Sequence, residues 1–253
     1  MPFAIKKGRF KLDILIYSAN LEDHLEHLRK TLSVLRKYRL YAKASKCEFV
    51  TTTIEFLGQR VCGGGISPTE AKLAAIRNWA TPQNVRDVRS FLGFANHYRR
   101  FIQNFAGIAS PLTDLTKKGM PWQWGPYQRQ AFQAVKDAYC NAPILLFPDP
   151  KLPYTVSTDA SGEAAGGALL QDQGKGLQPL AFVSRRLTPT AQKYWACEWE
   201  LAAMAYCLQG WRHYLEGCPG GTTILTDHQT LIRLMDQPVL TRVQNRWMRL
   251  GLF

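Results

Sequence analysis

Tyr154-Thr-Val-Ser-Thr-Asp159-Ala-Ser161 is the stretch on which the fold turns. It is rich in aromatic and β-branched residues and reads as a strand that ends on an acid. Small residues from Gly166 to Gln171 predict a second strand, and Leu180 to Ser184 a third. Thr188-Pro-Thr then starts a helix running from about Ala191 to Leu215. Thr222 to Thr226 is a fourth strand, also ending on an acid, Asp227. A helix follows from about Gln229 to Met235, and another starts near Thr241. Three strands, helix, strand, helix is the order of a mixed α/β sheet with helices packed on it.

Two acids, Asp159 and Asp227, thus stand at the C-terminal ends of predicted strands, where open α/β sheets gather ligand sites. A third, Glu200, lies on the long helix in Glu198-Trp-Glu200-Leu. Taken singly, Asp159 and Asp227 read as turn or capping residues. Taken as a set, carboxylates brought together repel unless a hard dication joins them. Mg²⁺ takes oxygen ligands and completes its shell with water and phosphate. Two such ions activate a water and stabilise the leaving oxygen of a phosphodiester. The set therefore points to a metal site.

Outward from the sheet, Ala142 to Pro153 carries four prolines and reads as an extended linker, the expected domain boundary. Thr69 to Asn141 reads as helical. One helix opens at Thr69-Glu-Ala-Lys and ends near Trp79. A second starts at Thr81-Pro82, with Val85, Val88, Phe91, Leu92 and Ala95 as its apolar stripe. A third runs from Tyr127 to Asn141. Gly63-Gly64-Gly65 lacks the GxxxxGK[ST] frame of a phosphate cradle and is a loop. Further upstream, Lys11 to Ser18 reads as a strand, and Asn20 caps a helix with Leu25, Leu28, Leu32 and Leu35 on one face. Strands are expected around Lys46 to Val50 and Ile54 to Gly58.

The net charge is +13, and it is unevenly spread. Residues 1–62 hold 12 Lys/Arg against 6 Asp/Glu, 63–145 hold 10 against 4, and 146–253 hold 10 against 9. A basic excess in the first two segments favours a polyanion, because each neutralised phosphate releases counterions. Tyr98-Arg99-Arg100-Phe101 interleaves aromatics with base, which suits duplex contacts and equally suits an amphipathic helix with a solvated basic face. Lys117-Lys118 reads as a loop pair near phosphate, and Arg242, Arg246 and Arg249 line one helical face. His228 either contacts substrate near Asp227 or bonds to backbone; His213, between aromatics, reads as packed. The tryptophans read mostly as core. The six cysteines form no CxxC pair, which argues against zinc. No apolar run is long enough to span a membrane and no signal core opens the chain, so the expected location is intracellular, cytoplasm or nucleus.

Ordered matches run along nearly the whole chain: LDILIYS (12–18), EDHLEHLRKTLSVLRKYRLYAKASKCEF (22–49), IEFLGQRV (54–61), GIS (65–67), RSFLGFANHYRRFIQNFAGIASPLTDLTKK (89–118), APILLFPDP (142–150), STDAS (157–161), FVSRRLTPTAQKYWACEWELAAMAY (182–206), WRHYL (211–215) and LTDHQTL (225–231). With these the chain resembles the C-terminal half of a gypsy-type LTR retrotransposon reverse transcriptase. The resemblance implies a partial palm over 1–62, a helical thumb-like segment over 63–145 and an RNase-H-like domain, incomplete at its C-terminus, over 146–253. It implies that Asp159, Glu200 and Asp227 are catalytic ligands of two Mg²⁺ (or Mn²⁺) ions, cutting RNA in RNA–DNA hybrids. It also implies a primer-holding turn at Leu57-Gly58 and association with other segments of the retroelement polyprotein.

The sequence departs from that family in two places. The paired Asp of the polymerase turn is here the single Asp13, a polymerase remnant or a solvated hairpin residue, and the fingers and first part of the palm are expected outside the chain. The nuclease's fourth acid, on a helix after a fifth strand, is also expected to be missing. The alternative function is a catalytically inactive nucleic-acid-binding remnant.

Overall fold

The computed structural model describes residues 13–18 and 20–227, which divide into two compact units, one up to Gly63 and one from Gly64 onward.

In the first unit the strand expected from Lys11 does not form over 13–18, which are irregular. A strand exists only with a hydrogen-bonded neighbour, and no described residue supplies one. Helix α1 (Leu21–Lys37) forms as the sequence predicts. Its N-cap Asn20 accepts from the Asp23 N–H at 2.9 Å. Glu22 and Asp23 in the first turn and Arg36 and Lys37 in the last complement its dipole. Its leucine stripe is not core: Leu25 and Leu32 are exposed, and no residue of α1 is buried. The strand expected at Lys46–Val50 is instead a 3-10 turn, Ala44–Lys46, and irregular chain, five residues being too short a run to fix a period. Strands β1 (Thr53–Phe56) and β2 (Gln59–Cys62) form an antiparallel hairpin. Its two-residue turn has φ 50° at Leu57 and 77° at Gly58. Positive φ at both positions matches the twist of the flanking strands.

The second unit opens with β3 (Gly65–Pro68), α2 (Glu70–Arg77) and α3 (Val85–His97). Helix α3 begins at Val85 rather than Thr81 because Asn84 is its cap, accepting from the Asp87 N–H at 3.0 Å. Val88, Phe91 and Ala95 of its predicted stripe are buried, with Phe91 against Phe132, ring centroids 4.6 Å apart. A 3-10 turn (Arg99–Phe101) leads to α4 (Phe105–Ile108), α5 (Ser110–Leu115) and α6 (Pro126–Cys140). The proline-rich stretch is extended, as read, but anchored: Leu145 is fully buried and exchanges both backbone hydrogen bonds with Ile66.

Beyond it lies a four-stranded sheet of order β6-β5-β4-β7. Strands β4 (Tyr154–Ala160), β5 (Ala164–Asp172) and β6 (Leu177–Arg186) are antiparallel neighbours, and β7 (Thr222–Leu225) runs parallel to β4. The long helix predicted from Ala191 to Leu215 is divided into a 3-10 turn (Ala191–Lys193), α7 (Ala196–Gly210) and α8 (Arg212–Leu215). The start of α7 is set by Glu198, whose Oε2 accepts from the Trp195 N–H at 3.3 Å. One face of the sheet packs on α7 through Val156, Leu169, Leu201, Met204 and Cys207. The other is met by α4, pinned where the Ala106 N–H donates to Ser184 Oγ at 2.9 Å. Arg186 clamps Asp114 of α5 with two hydrogen bonds, 2.5 and 3.0 Å. Mixed α/β architecture is what the sequence predicts.

Candidate active site

Alternation along β4 sends Tyr154, Val156 and Thr158 toward α7 and leaves Ser157 and Asp159 on the opposite face. Asp159 is exposed near the strand's end. In the parallel pair β4–β7 the last registered partners are Ser157 and Leu225, so Asp159 and Asp227 each stand two residues beyond that pair. Glu200 approaches from α7. Its Oε1 accepts from the Ala160 N–H at 3.0 Å, fixing the carboxyl beside the residue that follows Asp159. Its Oε2 is buried with no partner among the described residues.

Burial pushes the Glu200 carboxyl up to about 7, against the lowering effect of the Ala160 hydrogen bond, and the charges of Asp227 and Asp159 raise it further. Glu200 thus feels the charge of both aspartates, and its orphaned buried oxygen is a hard donor of the kind a divalent cation takes. No group of three His, Cys, Asp or Glu side chains among the described residues is gathered at metal-ligand spacing.

Elsewhere the structure sorts the sequence-predicted residues one by one. Asp13 is exposed in irregular chain, and Leu57 is 65% exposed at the hairpin tip with Gly58. Tyr98 and Phe101 are buried, so in that run the surface belongs to Arg99, while Arg100 lies half-buried over the Phe101 ring. Lys117 pairs with Asp114 at 2.6 Å and Lys118 is exposed. His213 is not packed inside; it is exposed, its ring 4.1 Å from that of Tyr214, because the helix breaks at Trp211 and α8 runs at the surface. Trp211 is core, but Trp195, ahead of α7, is 80% exposed. All six cysteines are free, and burial pushes the Cys207 thiol up to about 12. His228, Arg242, Arg246, Arg249, Trp247 and the two last predicted helices lie outside the described residues.

Sequence reasoning missed Gln103 and Asn104. They line a polar cleft with Ser157, Asp159, Ser161 and Gly166. No periodicity marks them; the only local signal was an Asn in a Q-N-F-A-G run, an Asn being tolerant of left-handed backbone.

A family model described as an RNase H-like domain found in reverse transcriptase matches residues 124–222. Another, described as reverse transcriptase (RNA-dependent DNA polymerase), matches residues 8–61. The chain carries a reverse transcriptase segment followed by an RNase H-like domain.

Among curated proteins, the chain is 33% identical to the Transposon Tf2-3 polyprotein of Schizosaccharomyces pombe over 87% of its own length and 17% of that protein's. It is 33% identical to the Retrovirus-related Pol polyprotein from transposon opus of Drosophila melanogaster, over 93% of this chain and 24% of the relative. The chain thus spans about a fifth of these relatives' length. Among solved structures, a foamy viral protease-reverse transcriptase in complex with double-stranded DNA superposes with TM-score 0.75 at 23% identity, over 93% of this chain and 42% of that one. A foamy viral protease-reverse transcriptase in complex with an RNA/DNA hybrid gives TM-score 0.73 at 23% identity, over 93% of this chain and 32% of that one. At that identity the likeness establishes the fold: reverse transcriptase plus RNase H-like domain. No helix among the described residues is long and apolar enough to cross a membrane.

Proposed function

We propose that the RNase H-like part of this chain cuts the RNA strand of an RNA–DNA hybrid, and that the chain derives from a gypsy-type LTR retroelement. The observation that carries the reading is Glu200: one carboxylate oxygen fixed on the Ala160 N–H, the other buried without a partner, in the fields of Asp159 and Asp227. Such a carboxylate is stabilised by a cation. Asp159, Glu200 and Asp227 would hold two divalent ions, Mg²⁺ or Mn²⁺. When bound, such ions supply an activated water and charge stabilisation at the leaving oxygen. The chain's own contribution is positional. Strands β4 and β7, parallel and adjacent, carry two of the acids to one sheet end, and α7 holds the third against β4. Exposed Arg99 and Lys118, with His228 beside Asp227, are proposed contacts to the nucleic-acid backbone, and Leu57-Gly58 a contact to a primer end. The boundaries proposed for the three parts are 1–62, 63–145 and 146–253, with Asp13 as a remnant of polymerase chemistry.

A second reading is a catalytically inactive nucleic-acid-binding remnant, favoured by the basic excess of residues 1–145, which hold 22 Lys/Arg against 10 Asp/Glu. Incubation of a strand-labelled RNA–DNA hybrid with Mg²⁺ or Mn²⁺, beside an Asp159→Asn control, separates the two. Cutting of the RNA strand alone, lost in the control, is the expected result. A folded protein that binds the hybrid without cutting it selects the second reading.

A further inference from the structure

The row of residues that crosses the sheet from Asp159 runs through Gly166 of β5 to Ser184 of β6, which are its registered partners. All three lie on the face away from α7. Ser184 is buried and accepts from the Ala106 N–H, which fixes the first turn of α4 over this row. Gly166 has no side chain, and a Cβ there would collide with the backbone of Val183 and Ser184. The sheet between the acid and the pinned segment is therefore bare. The space is a cleft with Asp159 and Ser161 at one side and Gln103 and Asn104 at the other.

Asn104 is held at φ 50°, ψ 34°, between the buried Ile102 and the buried Phe105. Its backbone is thus fixed from both sides. Gln103 and Asn104 are exposed residues, and the Asn104 amide lies over Gly107 of α4 without capping the helix by a side-chain hydrogen bond. These two residues lie outside 124–222, the span that matches the RNase H-like family model.

We propose that Gln103 and Asn104 are substrate-positioning residues: the segment ahead of the RNase H-like domain supplies one wall of its cleft, and the two amides hydrogen-bond the sugar–phosphate backbone of the strand presented to Asp159. The chemistry of the wall is neutral and bifunctional. An amide donates to a phosphate oxygen and both donates to and accepts from a ribose hydroxyl. Neutral groups orient a strand without adding to the salt-dependent attraction that lysines and arginines supply. The assignment rests on the nuclease reading of Asp159.

The test uses the full chain and has two arms. In the first, the double variant Gln103→Ala, Asn104→Gly is compared with the parent in cleavage of an RNA–DNA hybrid. Glycine keeps the left-handed backbone, so melting temperature should hold within a few degrees. KM should rise about tenfold, equivalent to about 1.4 kcal/mol of binding, with kcat changed less than about twofold. In the second, Gln103 is replaced by the photo-reactive p-benzoylphenylalanine and irradiated with labelled hybrid in Ca²⁺, with the same replacement at exposed Gln133 of α6 as control. Crosslinking at 103 well above that at 133, mainly to the RNA strand, is expected. An unchanged KM together with no excess crosslink overturns the assignment while leaving a cutting parent intact. A parent that does not cut, yet crosslinks at 103, sinks the nuclease reading and keeps the cleft as a nucleic-acid site.

Discussion

Glu200 shows how much one side chain can be asked to bear. Its carboxyl is buried, half-satisfied and pushed up to about 7, so without a cation its charge opposes folding at pH 8. Removing that charge should stabilise the metal-free protein: in chelator at pH 8, we expect Glu200→Gln to unfold at higher urea, by roughly 1 kcal/mol, while hybrid cleavage is lost. A destabilised Glu200→Gln would mean that the carboxylate is satisfied in a way the geometry does not show. Asp114 has the opposite sign. Its hydrogen bonds from Arg186, and next from Lys117, hold its carboxyl below the usual carboxylate range despite some burial. A carboxyl lowered in the folded state contributes stability above its unfolded pKa of roughly 4, and that contribution is lost as pH falls through the folded value. Thermal melts should therefore show this pair's contribution flat from pH 7 to pH 5 and declining below about pH 4. In Asp114→Asn the acid-side decline should be shallower.

At the scale of elements, a hydrogen bond from the Ala106 N–H to Ser184 Oγ joins α4 to the sheet. Ser184→Ala leaves that N–H without its acceptor, at a cost of about 1–2 kcal/mol in urea unfolding. Because the same bond sets the wall of the cleft, the variant should also weaken hybrid binding; stability lost with binding unchanged would separate the wall from the substrate. The hairpin β1–β2 carries a local conflict of a different kind. Leu57 occupies a left-handed position that favours Asn or Gly. Leu57→Asn should stabilise the hairpin by a few tenths of a kcal/mol up to about 1, read as slower amide exchange over β1 and β2. No such gain would point to a left-handed turn that costs leucine little. Elements were legible where periodicity and caps agreed, as in α1 and α3, whose caps Asn20 and Asn84 both accept from the Asp three residues on. They were not legible at Lys46–Val50, where five residues hold too little period, nor at residues 191–215, where local helix propensity runs on through breaks that packing imposes.

For the whole molecule, charge predicts behaviour that no single contact does. If residues 1–145, with their excess of 12 positive charges, carry the contact to nucleic acid, hybrid affinity should fall steeply between 50 and 200 mM salt, log–log slope about −4 or steeper. A slope near zero would show that these charges face solvent. The sequence by itself determined the fold class, the strand–acid, helix–acid, strand–acid order and the basic excess. These are readable because period, turn chemistry and charge are local or additive properties of the chain. Only the tertiary structure decided that Glu200 is fixed on the Ala160 N–H and otherwise orphaned, that Trp195 is exposed, and that Gln103 and Asn104 share a cleft with Asp159. Those depend on which faces meet across intervals of 40 to 80 residues, and no local pattern encodes a contact whose partner lies that far along the chain.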